Sequence, residues 1–251
     1  MNTPLRRFFS FLGQRRSLSV EDRRAGLWRG LCLADKNGGP TQMALRLKLS
    51  LESLGRFCLD DILARYHSWW LAEGFDTGPT AAGVFELVQH GLSREEAARQ
   101  IHEESGGTSA GCNPAHRASP LAMMDFLSLH DLGDLARQEA RLTHLHPDAG
   151  ETSAAVVLLC RHLIDGTAWT EALQSVAAQV RGPARQALLN PNARPIERGG
   201  HAPEVLRTAI SFLSANRHFA SALQASLDFA GPANYSPVLV GAIAGARWGT
   251  S

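Results

Sequence analysis

Hydrophobic positions recur along this chain with the three-to-four-residue spacing of amphipathic helices, and the alternation of a half-buried strand is nearly absent. Met43, Leu47, Leu51 and Leu54 fall at intervals of four, four and three, which places them on one face of a helix predicted over about 40–54. A second is predicted over 59–71, ending before Gly74, with Asp60 and Asp61 read as its caps and Trp69 and Trp70 as core area. Further helices are predicted over 83–90, 93–104, 121–129 and 131–141, each bounded by glycine, proline or a cap-competent residue. Ser93 with Glu96 has the form of a capping box. The stretch 152–165 carries Ala155, Val156, Leu159 and Leu163 on a face broad enough for full burial, and 169–181 follows after a Gly-Thr turn.

Between 182 and 200 the chain holds three prolines and two asparagines with few large apolar residues, which reads as a surface excursion. Helical patterning resumes over 203–214 and 218–229. The closing VLVGAIAGARWG carries Gly241, Ala242, Ala244, Gly245 and Ala246, small residues that let helices approach closely. The expected fold is all-α, a single-domain multi-helix bundle spanning 23–251 behind a basic lead at 1–22.

Composition narrows the partners. A 25-to-24 balance of basic and acidic residues gives a net charge of +1, so no overall field draws the chain to nucleic acid or an anionic membrane. Arginines are dispersed and do not alternate with aromatics, which argues against a nucleic-acid module. Every apolar run is interrupted well short of the roughly 20 residues of a membrane span. Cys32, Cys58, Cys112 and Cys160 show neither CxxC spacing nor close histidine pairing, which speaks against a disulfide framework or structural zinc and points to a reducing cytoplasm. No serine sits in a GxSxG elbow.

Candidate chemistry lies in the joints between helices, where glycine, proline and asparagine let backbone amides and polar side chains converge. Five joints qualify: ADKNGGPTQMA at 34–44, EGFDTGPT at 73–80, SGGTSAGCNPAHRASP at 105–120, RLTHLHPDAG at 141–150 and AGPANYSPVLVGAIAGA at 230–246. In this order they resemble the ADP-ribosylglycohydrolase family, over roughly 24–249. Ala34 to Gly38 is similar to the family's opening GDxxG element and Thr41 to Leu45 to the end of its TDDTQMAL. Phe75 to Thr80 is similar to FDxGxT, 111–120 to the GNGxxMRxxP loop, and Thr143-His144 with Pro147 to the THxxP turn. The segment 200–209 and the closing AIAGARWG fit the last helices.

The resemblance implies two Mg²⁺ ions held by the TDD and by a late DxDT element, oxygen ligands suited to that cation. Here the first reads Gly38, Gly39 and Pro40 and the second Pro232, Ala233, Asn234 and Tyr235. The insert that in the family brings a catalytic glutamate is missing, since Asp35 and Thr41 stand only six residues apart. Neutralising two divalent cations takes several carboxylates, and Asp35 and Asp76 are the acids left in the matching loops, so no cofactor is expected and the binuclear magnesium site is expected to be absent.

What remains suits a ligand. Gly107, Gly111 and Asn113 would let amides approach a pyrophosphate, and Arg117 would either pair with it or brace its own loop. Asp76 would accept ribose hydroxyls, while Asp35 is either a site acid or a helix cap. Thr41, His116, His144, Asn234, Tyr235 and Ser236 supply further polar groups, with His144 and His146 also readable as turn or cap residues. Two functions follow from the resemblance. One is a metal-independent glycohydrolase in which Asp76 or Asp35 stabilises an oxocarbenium-like transition state and the other acid or a histidine activates water. The other is an inactive relative that senses ADP-ribose or NAD, or binds an ADP-ribosylated protein. A purely structural role is the third reading.

Overall fold

A computed structural model describes residues 18–233 and 235–250 of the chain. Among these residues the architecture is all-α, with thirteen α-helices and a single isolated β-bridge between Gly111 and His201. No described helix is long and apolar enough to cross a membrane. Asn234 and residues 1–17 of the basic lead lie outside the described residues.

Helix α1 (Val20–Asp35) opens on a complete capping box, in which Ser19 and Asp22 satisfy each other's backbone donors. Its buried face is built of Gly26, Leu27, Gly30, Leu31 and Ala34. That face lies directly on α13 (Tyr235–Trp248). A Cβ on Gly30 would stand 2.0 Å from the Gly241 carbonyl oxygen, and one on Gly26 would stand 2.3 Å from that of Gly245. The two backbones touch where only glycine fits.

Helix α8 (Pro147–Ile164) runs through the centre, with Ala149 and Gly150 and almost every residue from Thr152 to Ile164 buried. Around it pack α6 (Asn113–Arg117), α7 (Leu129–Ala140), α9 (Trp169–Ala177), α10 (Gly182–Leu189) and α11 (Ala202–Ala215), together with α1 and α13. Helix α12 (Phe219–Ala230) lies against α13 and α11. On another side, α2 (Gly39–Leu54) pairs with α3 (Leu59–Ala72), and α4 (Pro79–Gln89) with α5 (Arg94–Glu104). The last pair closes its own small apolar cluster of Val84, Ala97 and Ala98.

Two expectations need correction, and one helix was not predicted. A helix at 20–35 escaped the periodicity because half its buried face is glycine and alanine, which carry little hydrophobic signal. The surface excursion at 182–200 begins with the helix α10, which starts on a Gly-Pro pair and buries Ala184, Ala187 and Leu188. Conversely, the helix expected over 121–129 is a short 3₁₀ turn (Ser119–Met123) followed by irregular chain. Its carbonyls are met from outside: the buried Arg161 guanidinium donates to those of Ala122, Met124 and Leu127 at 2.8, 2.6 and 3.2 Å. Trp69 is core as expected, buried edge-on to Phe75, and His146 caps α8 by accepting from the Asp148 amide at 3.2 Å. Asp60 and Asp61 lie within the first turn of α3, one residue and two past its opening Leu59, while Cys58 holds the cap position.

Candidate functional site

All five joints meet at one open cleft of about 260 Å³, walled by Pro40, Asp76 to Thr80, the Gly111–His116 loop, His144 and Tyr235, together with Gly200. The β-bridge stitches two of these walls together: the Cys112 amide donates to the Gly200 carbonyl at 3.0 Å and the Ala202 amide to that of Ala110 at 2.9 Å. Beneath the floor Arg117 is wholly buried. Its Nε pairs with Glu139 at 2.6 Å, its Nη1 donates to the Asn113 side-chain oxygen at 2.6 Å, and its Nη2 donates to the Thr143 hydroxyl at 3.0 Å. Asn113 in turn donates to the Thr77 carbonyl at 3.0 Å, so one guanidinium orients two walls.

The expected site residues divide. Asp76, Gly111, Asn113, His116, His144 and Tyr235 line the cleft. Arg117 does not reach it and is a brace. Gly107 is also elsewhere: with Gly106 it closes the end of α5 in left-handed backbone, and its amide donates to the His102 carbonyl at 2.8 Å instead of facing a phosphate. Thr41 is buried below Pro40, its hydroxyl without a partner among the described residues. Ser236 points to Ser226 at 3.1 Å and faces a smaller neighbouring cavity, while Asn234 lies outside the described residues. Cys112, Thr77, Thr80 and Gly200 were not singled out from the sequence. Glu139 was also missed, although an acid three residues past Ala136 and seven past Leu132, on the buried face of α7, is the signal that marks it.

The two surviving acids converge on α2. A Cβ on Gly38 would stand 2.9 Å from an oxygen of Asp76 and 3.1 Å from one of Asp35. Asp35 accepts the Thr41 amide at 2.8 Å and Asp76 accepts the Gly39 amide at 3.3 Å. Gly38, the cap residue, has no side chain of its own, so carboxylates from other segments meet the positive end of the helix. Asp35 is only 3% exposed and does not line the cleft. Asp76 does, held in left-handed backbone at φ 51°. Each carboxylate already accepts a helix amide, and the positions beside them are glycine and proline, which carry no side-chain oxygen.

The family model described as ADP-ribosylglycohydrolase matches residues 40–251. The chain belongs to the ADP-ribosylglycohydrolase family. It is 24% identical over 209 residues to the ADP-ribosyl-[dinitrogen reductase] glycohydrolase of Rhodospirillum rubrum, covering 83% of this chain and 68% of that one. A solved structure titled an ADP-ribosylglycohydrolase-related protein complex superposes with a TM-score of 0.74 at 23% identity, over 92% of this chain and 88% of its own. The scaffold of this glycohydrolase-family member is therefore the family's.

Both cleft histidines are neutral. Burial pushes His116 down to about 4, and burial together with the Arg117 charge pushes His144 down to about 3. The unfolded chain, with imidazoles near 6.5, then binds more protons than the folded one between pH 6.5 and about 4, so stability falls as acid is added through that window. Each histidine contributes up to about 1.4 kcal/mol per pH unit. Urea midpoints measured from pH 7 to 5 are expected to drop steadily, and a constant midpoint would contradict the assignment. Burial also pushes the Cys112 thiol up to about 12, which keeps it protonated and unreactive.

Proposed function

We propose that the cleft binds ADP-ribose or a closely related nucleotide sugar without divalent metal, and that binding is its principal activity. The observation that carries this is the use of both acids as caps of α2, while the neutral polar groups around the cleft remain available. With both carboxylates held on helix amides and few others in the cleft, a pyrophosphate meets little repulsion. The name of the Rhodospirillum rubrum relative supports the ligand class. Slow hydrolysis is the second reading, favoured by Asp76 alone, which reaches the cleft and stands where it would support positive charge developing on a ribose.

Calorimetric titration with ADP-ribose, in EDTA and then in excess Mg²⁺, is expected to give saturable binding with the same affinity in both. Incubation with ADP-ribosylated arginine is expected to release no ADP-ribose. Binding that appears only with Mg²⁺ would overturn the metal-free reading. Turnover that disappears in Asp76→Asn would establish the hydrolytic one.

A further inference from the structure

The two cleft histidines hold their protons on the same ring nitrogen for different reasons, and the consequences differ. His116 Nε2 lies 2.8 Å from the Tyr235 carbonyl, which only accepts, so that nitrogen carries the proton and spends it on the backbone. Its bare Nδ1 faces the Cys112 sulfur at 4.0 Å. His144 Nδ1 lies 2.8 Å from the Thr143 hydroxyl. That hydroxyl already accepts from Arg117 and has a single proton to give, and Thr143 is buried. Sending this proton to His144 Nδ1 leaves no buried donor unmet, whereas a protonated Nδ1 would strand the hydroxyl hydrogen.

His144 therefore carries its own proton on Nε2. Among the described residues this nitrogen has no hydrogen-bond partner. It lies beside Gly111 in the cleft wall, 3.1 Å from where a Cβ on that residue would stand, so the glycine keeps the space in front of it open. Behind Thr143 the chain of bonds continues through Arg117 to Glu139, whose Oε1 also accepts from the Tyr66 hydroxyl at 2.8 Å.

We propose that Glu139, Arg117 and Thr143 form a buried relay that locks His144 as a neutral Nε2–H donor aimed into the cleft, where it engages a phosphoryl or ribose oxygen of the ligand. The tautomer rests on the bonds alone; the identity of the oxygen rests on the ADP-ribose reading above. Thr143, Arg117 and Glu139 are positioning residues, and His144 is the contact.

Long-range proton–nitrogen correlation spectra of ¹⁵N-labelled protein at pH 7 decide the first half. The expected pattern is an Nε2-protonated His144 in wild type and in Thr143→Ser, and a mixed tautomer in Thr143→Val. An Nδ1-protonated or mixed ring in wild type overturns the relay whatever ADP-ribose does. Saturating ADP-ribose is then expected to move the His144 Nε2 signals, and His144→Phe to weaken binding by about 10- to 100-fold with an unchanged circular dichroism spectrum. Thr143→Val is expected to lose affinity that Thr143→Ser keeps. Nε2 signals unmoved by bound ADP-ribose overturn the contact. Failure of the wild-type protein to bind ADP-ribose overturns the ligand reading and this contact together, while the spectrum still decides the tautomer.

Discussion

Gly241→Ala is expected to destabilise the protein by about 3 kcal/mol, at the upper end of what overpacking commonly costs. The added Cβ would stand 2.2 Å from the Gly30 carbonyl oxygen and 2.5 Å from the Ala34 Cβ, and the first of these is backbone that cannot rotate away. Relief requires α1 and α13 to separate, which loosens the contact along both helices. For a chain of this size the change corresponds to a melting temperature lower by roughly 6–12 °C. Gly83→Ala in α4 makes the matching control, since its Cβ meets only the flexible end of Ile101 and alanine favours helix by about 1 kcal/mol. Urea unfolding of the two variants should separate them clearly; equal midpoints would show that the helices slide apart at no cost.

Arg117→Met is expected to cost about 3–5 kcal/mol, because it leaves the Glu139 carboxylate buried without its cation. Both side chains are fully shielded from water, so solvent cannot compensate. Arg117→Met/Glu139→Met removes the stranded charge as well, and more than half of the lost stability should return. ADP-ribose binding should not return with it, since Asn113 and Thr143 have lost the guanidinium that orients them. A double variant as unstable as the single one would mean that the damage comes from packing and not from the unpaired charge.

Much of the scaffold was legible because α2, α3, α5, α11 and α12 bury large apolar side chains or carry clean caps. Where recognition uses small residues the signal fades. The buried stripe of α1 is half glycine and alanine, and its partner α13 was readable only as a run of small residues. The segment 121–129 misled for the opposite reason: it is apolar enough for a helix, but Arg161 takes the carbonyls a helix would need.

In the site, residue types and order identified the joints, while the direction of each side chain came only from the fold. Asp35 and Asp76 occupy matching motif positions, yet one is buried as a cap and the other faces the cleft. Arg117 looked equally suited to ligand or brace until Glu139, twenty-two residues away, was seen to hold it. No local pattern links those two positions, because the pairing is made by the packing of α6 against α7.

The pairing of α1 with α13 joins parts of the chain far apart in sequence; Arg23 donates to the Ala246 carbonyl across 223 positions at 3.1 Å. A nascent chain emerging from the ribosome can assemble α2 to α11 in order, but α1 must wait for nearly all of the remaining sequence before its glycine face is covered. Closure of the bundle is thus a late, long-range event that raises the contact order of an otherwise locally wired fold and slows its final step.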